Sequence, residues 1–325
     1  MIKILVFGTG GVGCAYAYIC SKAGTDVTVV CRSNYDAVKE NGITVESQIY
    51  GTVSCRPRTV RTVAEAACHG VFDFILVCSK AFPGAAHLIQ DAVSPQTAIV
   101  LAQNGISIED EYAAIYPKNT IISGAVYFPV TQIKPGYCVH GPLDMFEIGT
   151  FPANAGAEAK AKAQQLSDIF KAGGSSAPLY DDVQKRRWVK LAVNVAWNPT
   201  TALSLCDDAN FLRSSPEADS MIVKIFKEVG AVAKAAGHGD LLTDEEIEWQ
   251  MKRSRHRETS GGKEPSMLVD VKNNRPIEVE AILGNTVRIA RKHGVDARYL
   301  ELLYVLAKAR NFQIDPKGQW IPLAM

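Results

Sequence analysis

Lys190, Asn194 and Asn198 recur at every fourth position of the segment 188–199, where every other residue up to Pro199 is apolar. On a helix that spacing draws one polar stripe along an otherwise apolar rod. Such a helix is buried, and an ammonium and two carboxamides taken out of water are costly unless each finds a partner. Two readings follow. The lysine reaches water along its own stem beside two internally bonded asparagines, or the partner is a substrate. In the second case an ammonium can stabilise charge growing on a carbonyl oxygen and supply its proton, while the carboxamides hold a carboxylate or hydroxyl.

A second constellation opens the chain. The run Ile2 to Phe7 is apolar and β-branched, and Gly8-Thr9-Gly10-Gly11-Val12-Gly13 follows it directly and leads into a helical stretch. Strand, glycine turn and helix form the context in which G-x-G-x-x-G binds a dinucleotide. Gly8 permits the turn, Gly10 lets a pyrophosphate approach the backbone, Gly13 allows helix to pack on strand, and the helix N-terminus faces the phosphates. Gly8, Thr9, Gly10, Gly11, Val12 and Gly13 are therefore the expected cofactor-binding residues. The next strand ends in Cys31-Arg32-Ser33-Asn34. Arg32 replaces the acidic residue that holds the ribose in NAD-preferring folds, and a guanidinium suits a 2′-phosphate, so NADP(H) is the expected cofactor.

Lys80 and Asn104 each lie just past the carboxyl end of an apolar strand, in Val77-Cys-Ser-Lys80 and Gln103-Asn-Gly105. That edge is where open α/β sheets bind ligands. Glu278 stands in Arg275-Pro-Ile-Glu278, at the start of a helical pattern. Its carboxylate either complements the helix dipole or orients Lys190.

These residues need a scaffold. Strands at 26–31, 72–78, 97–102, 120–126 and 146–149 extend the opening unit into an α/β fold, an N-terminal Rossmann-type doubly wound parallel sheet. An Ala/Lys/Glu-rich helix occupies 153–171. Beyond Gly173-Gly-Ser-Ser176 and Pro178, helical patterns take over at 183–198, 216–236, 244–255, 279–293 and 297–311. The expected domains are 1–181, binding the nucleotide, and 182–325, a helical substrate and catalytic domain. The polar, glycine-bearing segment 258–265 reads as a mobile loop.

Composition narrows the partner. With 325 residues, 35 basic and 34 acidic side chains and a net charge of +1, no general attraction to nucleic acid or an anionic membrane is expected. Eight scattered cysteines without a Cys-x-x-Cys pair read as buried thiols in a reducing compartment, and the six histidines show no metal-ligand spacing. No apolar run approaches the roughly 18 residues of a membrane span, and no signal-like segment precedes the first strand, so a cytoplasmic protein without a metal is expected. The basic run Lys252 to Arg257 reads as a solvated face, with room for a lid beside Gly261-Gly262. Tyr304 and Lys308 form a Tyr-x-x-x-Lys pair, but they lie far past the sheet, which rejects a short-chain dehydrogenase reading.

Taken together, the motifs resemble the ketopantoate reductase (2-dehydropantoate 2-reductase) family over nearly the whole chain. They are the glycine loop, Arg32, Ser-Lys80-Ala, Gln-Asn104-Gly, Lys190-Leu-x-x-Asn194-x-x-x-Asn198-Pro, Ser266-Met-Leu-x-Asp and Glu278. The resemblance implies a helical C-terminal domain like that of 6-phosphogluconate dehydrogenase. It also implies NADPH-dependent reduction of 2-dehydropantoate to pantoate. Lys190 would be the general acid, and Glu278 the carboxylate bonded to it near the cofactor. Lys80 and Asn104 would border the nicotinamide, and Asn104, Asn194, Asn198 and Ser266 would grip a small-molecule 2-oxo acid. Asp208 stands where relatives carry a substrate-binding asparagine, and Pro265 where they carry threonine. Two rivals remain open: a paralogue reducing another 2-oxo acid, ketone or imine in secondary metabolism, and a non-catalytic NADP sensor. A homodimer is one possible assembly.

Overall fold

The computed structural model describes residues 1–317. The chain forms two compact units. The first comprises Met1–Lys80, Gly84–Gln103 and Ile108–Val183, and the second Ala81–Pro83, Asn104–Ser107 and the chain from Gln184 onward. Of the expected second domain, residues 318–325 lie outside the described residues.

In the first unit the strands are β1 (Lys3–Phe7), β2 (Asp26–Val30), β3 (Ile43–Ser47), β4 (Gly51–Cys55), β5 (Arg58–Val60), β6 (Phe74–Val77), β7 (Ala98–Leu101), β8 (Ile121–Tyr127), β9 (Val130–Lys134), β10 (Tyr137–His140) and β11 (Met145–Phe151). The helices are α1 (Gly11–Lys22), α2 (Tyr35–Asn41), α3 (Val63–Ala67), α4 (Glu109–Ile115) and α5 (Ala157–Ala172). A seven-stranded sheet has the order β11-β8-β7-β6-β1-β2-β5, parallel throughout except for the antiparallel edge β11. Its central strands β6 and β7 are buried at every residue, which is why they read as unbroken apolar runs rather than alternating ones. The chain grows from β1 to β2 on one flank and returns to β6 on the other. The carboxyl ends of β1 and β6 thus form the switch point at which such sheets bind ligands.

A four-stranded sheet, β4-β3-β10-β9, belongs to the same unit and was not expected from the sequence. Its strands are short and half-exposed, with β3 alternating buried and open positions, so they lack the apolar runs that mark the main sheet. One core of aliphatic and aromatic side chains, including Tyr16, Phe146 and Phe170, joins α1, α5 and the sheets.

The second unit is helical among its described residues: α6 (Val183–Ser204, entered from the first unit), α7 (Asp208–Ser214), α8 (Ala218–Ala235), α9 (Asp244–Ser260), α10 (Ser266–Lys272), α11 (Asn285–Lys292) and α12 (Arg298–Ile314). Trp188, Leu191 and Val195 of α6 pack in a core with Ile225 and Phe226 of α8 and Leu300 of α12. Each such side chain contributes about 1.5–3 kcal/mol by leaving water.

Three expectations are corrected. Helix α6 was expected to stop at Asn198, since Pro199 lacks an N–H and its ring opposes the carbonyl four residues back. It continues to Ser204 because Trp197 and Ala202 stay buried in the core. Beyond the proline the Thr201 hydroxyl donates to the Trp197 carbonyl at 2.7 Å, a side-chain back-bond within the continuing helix. The helix expected over 279–293 forms over 279–292 but is not uniformly α-helical: its first turn, Glu280–Gly284, is π-helical and passes directly into α11. Finally, the first three residues of the supposed loop 258–265 continue α9, and the main chain of Lys263 is pinned to Asp208.

Asn311, 3% exposed on α12, accepts the Ile277 N–H at 2.8 Å one residue before Glu278. Replacing it with alanine leaves that buried donor unpaired, so Asn311→Ala should lower unfolding free energy by about 1–3 kcal/mol. Chemical denaturation reads the loss, and an unchanged midpoint would contradict this account of the segment.

Candidate active site

The glycine loop sits at the carboxyl end of β1. Gly8 has φ +97°, and a Cβ there would stand 2.5 Å from the Ser79 nitrogen. A Cβ on Gly13 would meet the Gly8 carbonyl oxygen at 2.0 Å, so helix and strand approach as closely as the sequence implied. Around Gly10 the opposite holds: no atom lies within 4 Å of an added Cβ. Helix α1 starts there with no side-chain cap and no acidic residue in its first turn, which leaves its N–H groups and dipole open to an anion. These residues fit the pyrophosphate of a dinucleotide.

The loop is braced from behind. The Thr9 carbonyl accepts from Asn34 Nδ2 at 2.8 Å and from Gln132 Nε2 at 3.1 Å, and the Thr9 hydroxyl donates to the Val30 carbonyl at 3.0 Å. A side-chain hydrogen bond with Cys138, together with burial, pushes the Cys14 thiol far above its ordinary range. Cys14 is therefore a neutral packing group beneath the loop, as buried thiols usually are. The described cysteines are all free.

Arg32 is exposed just past β2. The nearest downstream carboxylate, Asp36, is paired with Arg61 at 2.7 Å. Lys80 follows β6, half-buried, and its carbonyl, like that of Ser79, accepts from Gln103 Nε2, at 3.2 and 3.1 Å.

In the second unit Lys190, Asn104 and Glu278 come together. Lys190 Nζ donates to Asn104 Oδ1 at 2.8 Å, and Asn104 Nδ2 donates to Glu278 Oε2 at 3.3 Å. The other carboxylate oxygen accepts the Ala81 N–H at 2.9 Å. A carboxylate only accepts and an ammonium only donates, so Asn104 can serve both in one orientation alone. Asn104 thus bridges the lysine and the carboxylate, a link the sequence reading did not include. Arg187, one helical turn before Lys190 and 3% exposed, donates to the Gly105 carbonyl at 2.9 Å. It was missed, although its i, i+3 relation to Lys190 puts both on one face of α6.

The remaining candidates divide. Asn198 Oδ1 accepts from the Ser266 hydroxyl and the Met267 N–H, both at 3.0 Å, which ties α6 to the start of α10 and brings Asn198 and Ser266 together. Asn194 is half-buried, and among the described residues its carboxamide has no hydrogen-bond partner. Asp208, 1% exposed, is engaged elsewhere: one oxygen accepts from Arg257 Nε at 2.5 Å and the other from the Lys263 N–H at 2.7 Å. Both oxygens thereby tie Asp208 to α9 and to the segment that follows it. Two arginines of the basic run are paired, Arg255 at the surface with Asp219 and Glu248, and Arg257 with the buried Asp208. Among the described residues no group of His, Cys, Asp and Glu could hold a metal, and no helix is long and apolar enough to cross a membrane.

Comparison with known proteins finds similarity over most of the chain. The family model described as ketopantoate reductase PanE/ApbA matches residues 4–153, and the model of its C-terminal part matches residues 182–311. An uncharacterized protein of Saccharomyces cerevisiae is 32% identical, across 94% of this chain and 92% of its own length. The 2-dehydropantoate 2-reductase of Nostoc sp. is 28% identical across 93% of both. The crystal structure of 2-dehydropantoate 2-reductase from Methylococcus capsulatus superposes with a TM-score of 0.84 at 34% identity, covering 99% of this chain and all of that one.

If Asp208 anchors the 261–265 segment, Asp208→Asn should cost about 1–3 kcal/mol of stability and speed limited proteolysis there. A variant with unchanged stability and protection but a raised KM would instead make Asp208 a substrate ligand.

Proposed function

The chain belongs to the ketopantoate reductase PanE/ApbA family of oxidoreductases, and on that premise we propose that it reduces 2-dehydropantoate to pantoate with NADPH. The observation that carries the reading is Lys190 Nζ held on Asn104 Oδ1 while Asn104 Nδ2 is held on Glu278. When bound, the reduced nicotinamide supplies the hydride. Lys190 supplies what the hydride does not. Its ammonium, held on Asn104, stabilises the charge that grows on the carbonyl oxygen and releases a proton to it. Glu278 acts by fixing the amide that aims the lysine.

Asn194, with its carboxamide open, is the proposed ligand of the substrate's carboxylate or hydroxyl. Asn198 turns its oxygen to Ser266 and Met267, so its Nδ2 donor is the group it offers a substrate oxygen. Ser266 is proposed as a further contact of the same substrate. Gly8 to Gly13 are proposed to hold the pyrophosphate, Arg32 the 2′-phosphate, and Lys80 and Asn104 the nicotinamide end.

The chemistry is also that of a 2-oxo acid reductase with another substrate, and one observation favours this second reading. Asp208, where the family resemblance implies a substrate-binding asparagine, has both oxygens occupied by Arg257 and the Lys263 N–H. The substrate's far end is then recognised by other groups. A non-catalytic NADP sensor, by contrast, gives no reason for an ammonium, an amide and a carboxylate to be aligned.

Lys190→Ala should lower kcat by roughly 100-fold or more while NADPH affinity, read by fluorescence titration, stays within about twofold. Comparable turnover in the variant would refute the acid role. Assaying ketopantoate beside a panel of 2-oxo acids separates the two substrate readings. Independently, Arg32→Ala should weaken NADPH at least about tenfold more than NADH. Equal loss of both would remove the 2′-phosphate assignment.

A further inference from the structure

Asn104 does not hold its own position. It lies in a turn whose next residue, Gly105, has φ +103° and would, with a Cβ, strike the Ala281 carbonyl oxygen at 2.4 Å. The Ile106 N–H donates to that same carbonyl at 3.1 Å. Ala281 lies in the π-helical turn Glu280–Gly284, where the Asn285 N–H reaches back five residues to the Glu280 carbonyl. Such widened turns are rare and concentrate at functional sites. Here the turn presents a helix carbonyl to a neighbouring loop. The side chain that closes the seat is Asn285, whose Nδ2 donates to the Ile106 carbonyl at 2.6 Å.

Asn285 is itself fixed from the other side. Its Oδ1 accepts from Arg288 Nη2 at 2.6 Å, Arg288 Nη1 reaches Glu280 Oε2 at 2.8 Å, and the Tyr304 hydroxyl donates to Glu280 at 2.9 Å. This network absorbs the Tyr-x-x-x-Lys pair, since Lys308 also lies 3.7 Å from Glu280. An Asn side chain gripped by a donor at its oxygen cannot flip its amide, so its nitrogen must face Ile106.

We infer that Asn285 is a positioning residue for the reductive chemistry, acting through the 104–106 turn on the Asn104 amide and thereby on Lys190. This rests on the role given above to Asn104 and Lys190. A displacement on the order of 1 Å at an aligned donor can cost catalysis about 100-fold, so the seat matters although Asn285 touches none of the reacting groups.

The test is a double-mutant cycle in the full-length protein with NADPH and the best 2-oxo acid of the panel. Asn285→Asp keeps the shape and the Arg288 pair but replaces the donor by an acceptor facing a carbonyl, while Asn285→Ala removes both. Each should lower kcat by roughly tenfold or more, leave the NADPH Kd within about twofold, and lose most of its effect in an Asn104→Ala background. If kcat is unchanged in the Asn285 variants, or falls equally in both backgrounds, the seat is only structural and the inference fails. Failure of the underlying reading looks different: Asn104→Ala would then keep wild-type kcat whatever stands at position 285.

Discussion

One carboxamide must satisfy an ammonium and a carboxylate at once, and only one of its two orientations can. Asn104 accepts from Lys190 and donates to Glu278, so the charge of one partner dictates the aim of the other. A lysine is a poor positioning device by itself, with a flexible four-carbon stem and a freely turning head. The amide gives that head a fixed direction, and the carboxylate, held in turn by the Ala81 N–H, prevents the amide from flipping. Most of what surrounds this trio serves to keep it in place. The Gly105 backbone lies against Ala281, Arg187 reaches the Gly105 carbonyl, and Asn311 holds the main chain just before Glu278.

The glycine loop obeys a related constraint, expressed through what is missing. A side chain at Gly8 or Gly13 would collide with backbone, whereas at Gly10 there is open space in front of the uncapped start of α1. Close packing on two glycines leaves the third accessible, and an anion is the natural occupant of the opening. The same logic of withheld groups applies to Asn194, whose carboxamide has no partner among the described residues although it lies on a helix that buries its neighbours. Asp208 shows the reverse, a buried carboxylate fully engaged within the protein.

Much of this was legible in the sequence because it depends on short-range patterns. The apolar runs of β1, β6 and β7, the glycine spacing and the Lys190 stripe each follow from a local period, and family motifs placed Glu278 and Ser266 beside them. What escaped depends on tertiary contact. The β4-β3-β10-β9 sheet has strands too short and too alternating to stand out. The passage of α6 through Pro199 is decided by burial of Trp197 and Ala202, and the π-turn at Glu280–Gly284 by a loop far away in sequence that requires its carbonyl. Asp208 could be located by alignment of motifs, but its partners Arg257 and Lys263 lie about fifty residues further on. No local pattern reports such a pairing.

The most direct measurement is the single-turnover rate of hydride transfer to a 2-oxo acid at saturating NADPH, comparing the wild type with Asn104→Leu, which keeps the branched shape and removes both polar atoms. If the amide aims the lysine, the rate should fall by roughly 100-fold while nucleotide binding persists. A variant that transfers hydride at the wild-type rate would show that Lys190 needs no such aim, and the account built on it would not stand.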